Sequence, residues 1–484
     1  MKRSLFAAAI LAGAISPVFA QTLPAVPAAP AAVSSGNVDI DAVAQKVRKS
    51  LVLVEWRYED ENTPREEIGH GIVVSPDTVL VWGGLISESI PKDYVKSIKI
   101  RLPGKNFTTV KATLLGRTQN RLFSYIKAEK PLDAPALDIS KSAPVKLGQS
   151  VFSVSMYDKA VGYDVAVGLS EVRIIQTRTY TLAGVANFSL TRPNSPVFDT
   201  ATGALVGITA PSAGEDFYIR DPAAARAGVP ELRRVQLYDE NQSSAFLIWS
   251  EVGEFFGKVP TAPFDLPRPW AGLGGLAGLD ENERDFHKIE SISGVTIGSI
   301  VPGEPAEKAG LLPRDIILTI NGRAFSDSPV PAVMQTHFQR EMDRHKPGES
   351  LVFGILRDDK KMDIAVKLGA SPKIGSELPH VFDKKVGVVT RDLNFWDIYN
   401  RKLGTDTKGV MIALVKNGAP ASLGQTPLRA GLIITKVNDT PVENQKQFAE
   451  TLKKETDDPE KKELVFVALQ GDGESKVFRV ELTK

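Results

Sequence analysis

The chain of 484 residues contains no cysteine. That absence removes disulfides, thiolate metal sites and a cysteine nucleophile together. Histidine is scarce too: His70, His287, His337, His345 and His380 are all there are. None stands at a ligand-like spacing from a second histidine or a carboxylate, so no metal site is expected. No glycine-rich phosphate loop occurs, and no cofactor is expected. An excess of either charge is also missing: 59 basic and 58 acidic residues give a net charge of +1. Such a balance offers no special attraction to nucleic acid or an anionic membrane surface. Beyond the first twenty residues no run is long and apolar enough to span a bilayer, so membrane insertion is not expected.

What is present is ordinary for a soluble globular protein, with 42% hydrophobic and 24% charged residues. The length allows about three domains of usual size. Residues 1–20 read as a secretory signal: Lys2-Arg3, an apolar centre from Leu5 to Ile15, and a small-residue cleavage site at Val18-Phe19-Ala20. Its apolar centre is shorter than the roughly 20 residues of a membrane anchor. Removing Lys2 and Arg3 leaves 57 basic against 58 acidic residues. A periplasmic or secreted protein is expected. Residues 21–37 are rich in Pro, Ala and Ser without periodicity and read as a tether.

Residues 38–257 open with a short helical stretch, Asp39 to Lys49, and then read as strands. Leu51 to Trp56, Gly71 to Val74, Thr78 to Trp82, Ser97 to Leu102, Ala112 to Leu115 and Ser124 to Ala128 come first. Val151 to Met156, Asp164 to Ile175 and Ala204 to Thr209 follow. Many short strands between turn residues predict a mainly β barrel or sandwich, and periodicity alone does not choose between them.

Residues 258–269 form a proline-rich connector. Beyond it lies the most legible phrase of the chain, Pro302 to Phe325 (PGEPAEKAGLLPRDIILTINGRAF). It predicts a turn, a short helix, a second turn and a strand ending at Asn321-Gly322, a strong hairpin signal. A weaker copy runs from Gly418 to Val442, which predicts two modules of one α+β plan, residues 270–372 and 383–484.

These phrases resemble the PDZ domains of secreted HtrA/Deg-type serine proteases. The order "HGIVVSPDTVLVWGGLI", "LLGRTQNRLFSYIKAE", "LGQSVFSVSM" and "PNSPVFDTATGALVGITA" is similar to their protease domain. The resemblance implies a trypsin-like double β-barrel followed by two α+β PDZ domains. It places Ser195 at or near the catalytic nucleophile, Gly84 at the histidine and Arg121 at the aspartate. A serine hydroxyl is a weak nucleophile without a base to take its proton. Glycine offers no side chain, and arginine does not accept a proton. The oxyanion donors of that architecture are two backbone N–H groups, one at the serine and one two residues earlier. The earlier position is Pro193, which has no N–H. The expectation therefore leans against an enzyme. Pro193-Asn194-Ser195-Pro196 is also a good turn sequence in its own right. His70 is the one histidine in this region that could serve as a substitute base.

The resemblance also marks two carboxylate-binding loops, Trp270-Ala271-Gly272-Leu273 and Lys385-Val386-Gly387-Val388. There an extended peptide would pair with a strand edge and lodge its terminal carboxylate on loop N–H groups. The second loop is expected to bind better, because Val386, Val388 and Val389 are apolar and Lys385 is cationic. Phe395, Trp396, Ile398 and Tyr399 predict a short helix used in packing. The expected function is capture of peptides, unfolded proteins or envelope proteins by a degenerate protease acting as chaperone, scaffold or adaptor. The alternatives are an active endopeptidase using Ser195 with another base, and a structural envelope protein with one fixed partner. HtrA relatives are often trimers, which makes a homo-oligomer an expectation although no trimer motif is readable.

Overall fold

The computed structural model describes residues 38–482 except 104–107, 158–163, 178–180, 187–192, 210–215, 221–231, 237–242, 265, 291–292 and 472. The leader and tether expected for residues 1–37 lie outside the described residues. A helix, Ile40–Arg48, capped by the Asp39 side chain on the Ala42 N–H, leads into two closed barrels.

The first barrel comprises β1 (Leu51–Glu59), β2 (Pro64–Ser75), β3 (Thr78–Trp82), β4 (Val95–Arg101), β5 (Thr109–Arg117) and β6 (Phe123–Ala128), in the order β1-β2-β3-β6-β5-β4. The second comprises β7 (Ser150–Met156), β8 (Val165–Thr177), β9 (Thr181–Ala186), β10 (Pro196–Asp199) and β11 (Leu205–Thr209). A hairpin of β12 (Asp216–Arg220) and β13 (Leu232–Gln236) intervenes before β14 (Ser243–Ile248) closes the barrel as β10-β11-β14-β9-β8-β7.

The uninterrupted apolar run of β1 follows from burial on both faces. Val52, Val54 and Trp56 fill the first barrel with Val79, Val81 and Ile100. Their neighbours Leu51 and Leu53 point the other way. There they join Ile72, Leu80 and Phe123 against Phe152, Phe198, Ile208 and Leu247 of the second barrel. Fusion of the barrels along this apolar seam holds their relative position.

The connector is packed down. Phe264 donates its N–H to Leu115 O at 3.2 Å, and its ring contacts Tyr125. The first module then forms a five-stranded sheet of Ala277–Gly278, Val295–Thr296, Ile316–Ile320, Ser350–Arg357 and Lys360–Lys367. The helix Pro331–Met342 lies against it with Met334, His337, Phe338 and Met342 buried. Asn321 and Gly322 both take positive φ, at 51° and 74°, and make the turn expected of them. The chain returns through one bridge, Ile320 to Arg323, and not through a full hairpin.

The second module orders its sheet as Val381–Asp383, Val388–Asp392, Val410–Val415, Ile433–Val437, Glu463–Leu469 and Ser475–Glu481. Its first strand begins at Val381, ahead of the expected boundary at residue 383. The helix Gln445–Asp457 buries Phe448 and Leu452. It extends into the charged run 453–462, whose first half is helical because lysine and glutamate are good helix formers on an exposed face.

The modules are fastened to the barrels and to each other. Arg340 pairs with Glu251 at 3.5 Å, and Gln119 donates to the His345 carbonyl. Asn62 bonds Val415 O at 3.1 Å and the Asn417 N–H at 2.7 Å, tying the second module to the first barrel. The Phe395–Tyr399 helix, present as expected, packs Phe395 and Trp396 on Trp270 with ring centroids 6.4 and 5.3 Å away.

Candidate functional site

Two regions carry the residues singled out from sequence: the junction of the barrels, and the loop-and-edge face of each module.

At the junction the Pro193-Asn194 turn leads into β10. Asn194 adopts φ 67°, and its side chain leaves the second barrel to grip the first. Nδ2 donates to His70 O on β2 and to Leu80 O on β3, each at 3.1 Å. Asn194 and Ser195 are each 1% exposed. The backbone N–H of Ser195 donates to Thr209 Oγ1 at 2.8 Å, and Thr209 N returns a bond to Ser195 O at 2.9 Å. The N–H that an oxyanion hole would use is therefore spent inside the barrel.

β3 continues past Leu80 and Trp82 to Gly83 and Gly84. Gly83 donates to Leu122 O at 2.8 Å, and a Cβ on it would lie 2.1 Å from Arg121 O. Gly84 and Arg121 are thus brought together at one end of the strand, while the Ser195 turn sits on its middle. Arg121 has φ 59° and turns its guanidinium away from the barrel seam. It donates to Leu266 O at 3.0 Å and faces Glu88 at 3.5 Å. Glu88 also meets Arg268 at 3.4 Å. β6 begins at Phe123, so Leu122 immediately precedes it, buried in the seam. Neither Arg121 nor Leu122 supplies a carboxylate. Asp343 on the first module lies near this cluster. Burial raises its carboxyl above the ordinary range, against the pull of Arg268 and Arg121.

His70 is buried and opposes Leu53 across the β1–β2 ladder. It shares the seam-facing side of β2 with Ile72. The remaining histidines are distant in role: His337 bonds Ser326, His345 lies 3.0 Å from Glu349, His287 faces Asp359, and His380 donates Nδ1–H to Leu378 O at 2.8 Å. Among the described residues no cluster of three or more His, Asp or Glu is arranged to hold a metal.

The two loops share one scaffold. Ala271 O accepts from Ala306 N and Gly272 O from Val301 N; Val386 O accepts from Ala421 N and Gly387 O from Lys416 N. Gly272 and Gly387 have φ 78° and 82°, the left-handed region that glycine adopts without strain. On this scaffold Trp270 corresponds to Lys385 and Leu273 to Val388.

In the first module a cavity of about 180 Å³ opens beside the loop, lined by Trp270, Ala271, Leu273, Leu276, Phe338 and Met342, with Arg268 also in its wall. Trp396 of the second module forms part of its wall and donates Nε1–H to Pro372 O at 3.1 Å. Leu273–Gly274 pairs with Ser299–Ile300, and Ala277–Gly278 with Val295–Thr296; Gly275, at φ 60°, breaks the strand between them. A Cβ on Gly278 would lie 2.1 Å from Pro331 O, so helix and strand touch there and the groove ends.

The second loop differs from expectation. Val386, Val388 and Val389 are at most 1% exposed. Val386 and Val388 belong to the module's core, so these side chains are unavailable to a ligand. Lys385 Nζ is held by Asp457 at 2.6 Å and by Thr456 O at 3.0 Å, at the end of the Gln445–Asp457 helix. The apolar side chains on which this module's expected advantage rested are buried in its core, which sequence alone does not reveal for an apolar run beside a loop.

The chain is similar to several known proteins. The PDZ domain family model matches residues 277–368. A probable periplasmic serine endoprotease DegP-like of Pseudomonas savastanoi pv. phaseolicola is 23% identical over 410 residues, covering 81% of this chain and 75% of that protein. One of Chlamydia pneumoniae with the same name is 24% identical, covering 84% and 74%. A solved structure, HtrA-type protease AlgW with tripeptide, aligns at 16% identity and a TM-score of 0.48, covering 69% of this chain and 98% of that one.

Proposed function

We propose that this chain, an HtrA-family protein with a trypsin-type fold and a PDZ domain, captures the carboxyl-terminal ends of other polypeptides and does not cleave them by a Ser-His-Asp route. The observation that carries the second half is the 2.8 Å bond from the Ser195 N–H to Thr209 Oγ1. A serine at 1% exposure, its N–H already donated, lacks both access and the electrostatic stabilisation that such a site contributes. Gly84 at one end of β3 and Arg121 turned toward Leu266 supply neither base nor carboxylate.

The first half rests on the cavity beside Trp270–Leu273. Its largely apolar lining suits one terminal side chain, and Arg268, 3.4 Å from Glu88, is the cation in its wall that a terminal carboxylate would meet. The relatives are named as periplasmic, and no helix among the described residues is long and apolar enough to cross a membrane. The setting is periplasmic or secreted, where exposed C-termini of unfolded envelope proteins are natural ligands. A chaperone or adaptor role would show as broad binding, and a scaffold with one partner as narrow binding, in a peptide-library pull-down.

One observation favours a second reading. His70 is buried on the seam side of β2, and its carbonyl accepts from Asn194, next to Ser195. With relatives named as endoproteases, a base at His70 acting on Ser195 is the alternative. A fluorophosphonate probe separates the two. No labelling of the wild-type chain is expected; labelling abolished in both Ser195→Ala and His70→Ala establishes the alternative.

A further inference from the structure

We infer that the second module carries its own ligand: Val381–Asp383 occupies the strand edge and the carboxylate loop on which an incoming peptide would have to dock. The segment pairs antiparallel with the next strand, Val381 opposite Thr390, Phe382 opposite Val389 and Asp383 opposite Val388. The other edge of Val388–Asp392 is taken by Val410–Val415, so both edges of this strand are filled.

The loop is filled as well. Asp383 Oδ1 accepts the N–H groups of Lys385 at 3.0 Å and Val386 at 2.8 Å, and Asp383 O accepts that of Gly387 at 2.9 Å. A strand on the edge and a carboxylate on consecutive loop N–H groups are the two halves of terminal-peptide recognition. Here both come from residues just upstream of the loop itself.

The first module shows why the arrangement is specific to the second. On the shared loop scaffold Phe382 corresponds to Pro267 and Asp383 to Arg268. Pro267 and Pro269 have no N–H for a ladder. The first module's segment runs instead to the first barrel, where Leu266 O meets Arg121, and Trp270 pairs with Gly369. Where Asp383 brings a carboxylate to its loop, Arg268 brings a cation. The first module is thereby left open and the second closed. The class of partner that fits the closed edge is an extended segment ending in a carboxylate, in competition with Val381–Asp383.

This inference concerns a different edge from the one used under the proposed function, and its test localises binding to one or the other. The probe is the hexapeptide Leu-Pro-His-Val-Phe-Asp with a free C-terminus, the sequence of residues 378–383. Amide exchange by mass spectrometry is followed on the full chain, wild-type and Phe382→Pro, which gives the second module the proline that the first has at Pro267. In the wild type, exchange over residues 385–392 is expected to be slow and unmoved by peptide. In Phe382→Pro it is expected to quicken and then be restored by peptide. The affinity gain over wild type should be about tenfold or more, as for regaining a charge-assisted hydrogen bond. Changes over residues 270–278 report the first module separately. Equal binding at residues 385–392 in both proteins overturns the inference. So does a variant that keeps residues 433–437 protected, hence folded, yet shows no peptide effect at 385–392. If Phe382→Pro exposes residues 433–437, Asp383→Ala, which removes the acceptor of the Lys385 and Val386 N–H groups, is used in its place, with the same two readings.

Discussion

The backbone N–H of Ser195 is hydrogen-bonded to the side-chain oxygen of Thr209, 2.8 Å away on the neighbouring strand. Thr209→Val keeps the shape and removes the acceptor, leaving a buried N–H unsatisfied. A stability loss of about 1–3 kcal/mol is expected, read by urea unfolding. Casein hydrolysis should stay absent, because freeing one donor restores no base. Cleavage that emerges in Thr209→Val and vanishes in the Ser195→Ala double variant would show that the bond alone had silenced the site.

Asn194 holds the barrels together at a point where the apolar seam alone gives no direction. Asn194→Ala loses bonds to His70 O and Leu80 O and puts a Cβ residue without a local hydrogen-bonding side chain at φ 67°. The two bonds at about 0.5–1.5 kcal/mol each, with backbone strain of about 1 kcal/mol or more, predict a cost of roughly 2–4 kcal/mol. Asn194→Gly should recover the strain and not the bonds. Equal costs for the two substitutions would remove the strain from the account.

Trp396 belongs to the second module yet walls the cavity of the first. Calorimetry on the full chain with an apolar-ended peptide acid should therefore show Trp396→Ala weakening binding, by about tenfold if the ring acts as a buried aromatic anchor. The matched C-terminal amide should bind more weakly than the acid to the wild type. Unchanged affinity in Trp396→Ala would confine the site to the first module, and equal affinity for acid and amide would exclude carboxylate capture.

His380 packs against Tyr94 of the first barrel, ring centroids 5.9 Å apart. Burial lowers its imidazole pKa below the ordinary value, against the upward pull of its bond to Leu378 O. Protons then bind more readily to the unfolded chain, so stability rises with pH in this window. Thermal unfolding should show full stability above the ordinary histidine pKa of about 6.5, declining as pH falls toward the depressed value. His380→Gln should flatten that limb. An unaltered pH profile in the variant would assign the decline to other groups.

Much of this architecture was legible because local chemistry dictated it. The Pro302–Phe325 phrase gives its helix, turn and strand through Pro305, Asn321 and the Ile316–Ile320 run, and no tertiary contact overrides them. Strands β1 and β3 of the first barrel announce themselves through valine and leucine buried on both faces. Thr181–Ala186 and Ser243–Ile248 escaped because short, small or mixed residues acquire strand character only from their neighbours in a closed barrel. The direction of Val386 and Val388 was beyond reach for another reason: an apolar side chain beside a loop is equally apolar whether it faces ligand or core. The contrast between Pro267-Arg268 and Phe382-Asp383 was open to inspection, since the presence of an N–H and a carboxylate is written in the residues. Its meaning needed the register of the two loops.

The contact of Gly278 with Pro331 sets how much of a captured chain can be read. Between the loop and that contact lie only Gly274 to Ala277, about 13 Å of strand at 3.3 Å per residue, already bent at Gly275. A tail of at most about four residues fits, and everything upstream of it goes unexamined. Such a reader has a small vocabulary: proteins of unrelated sequence that share an ending are synonyms to it, and selectivity among them must come from how often each presents a free end.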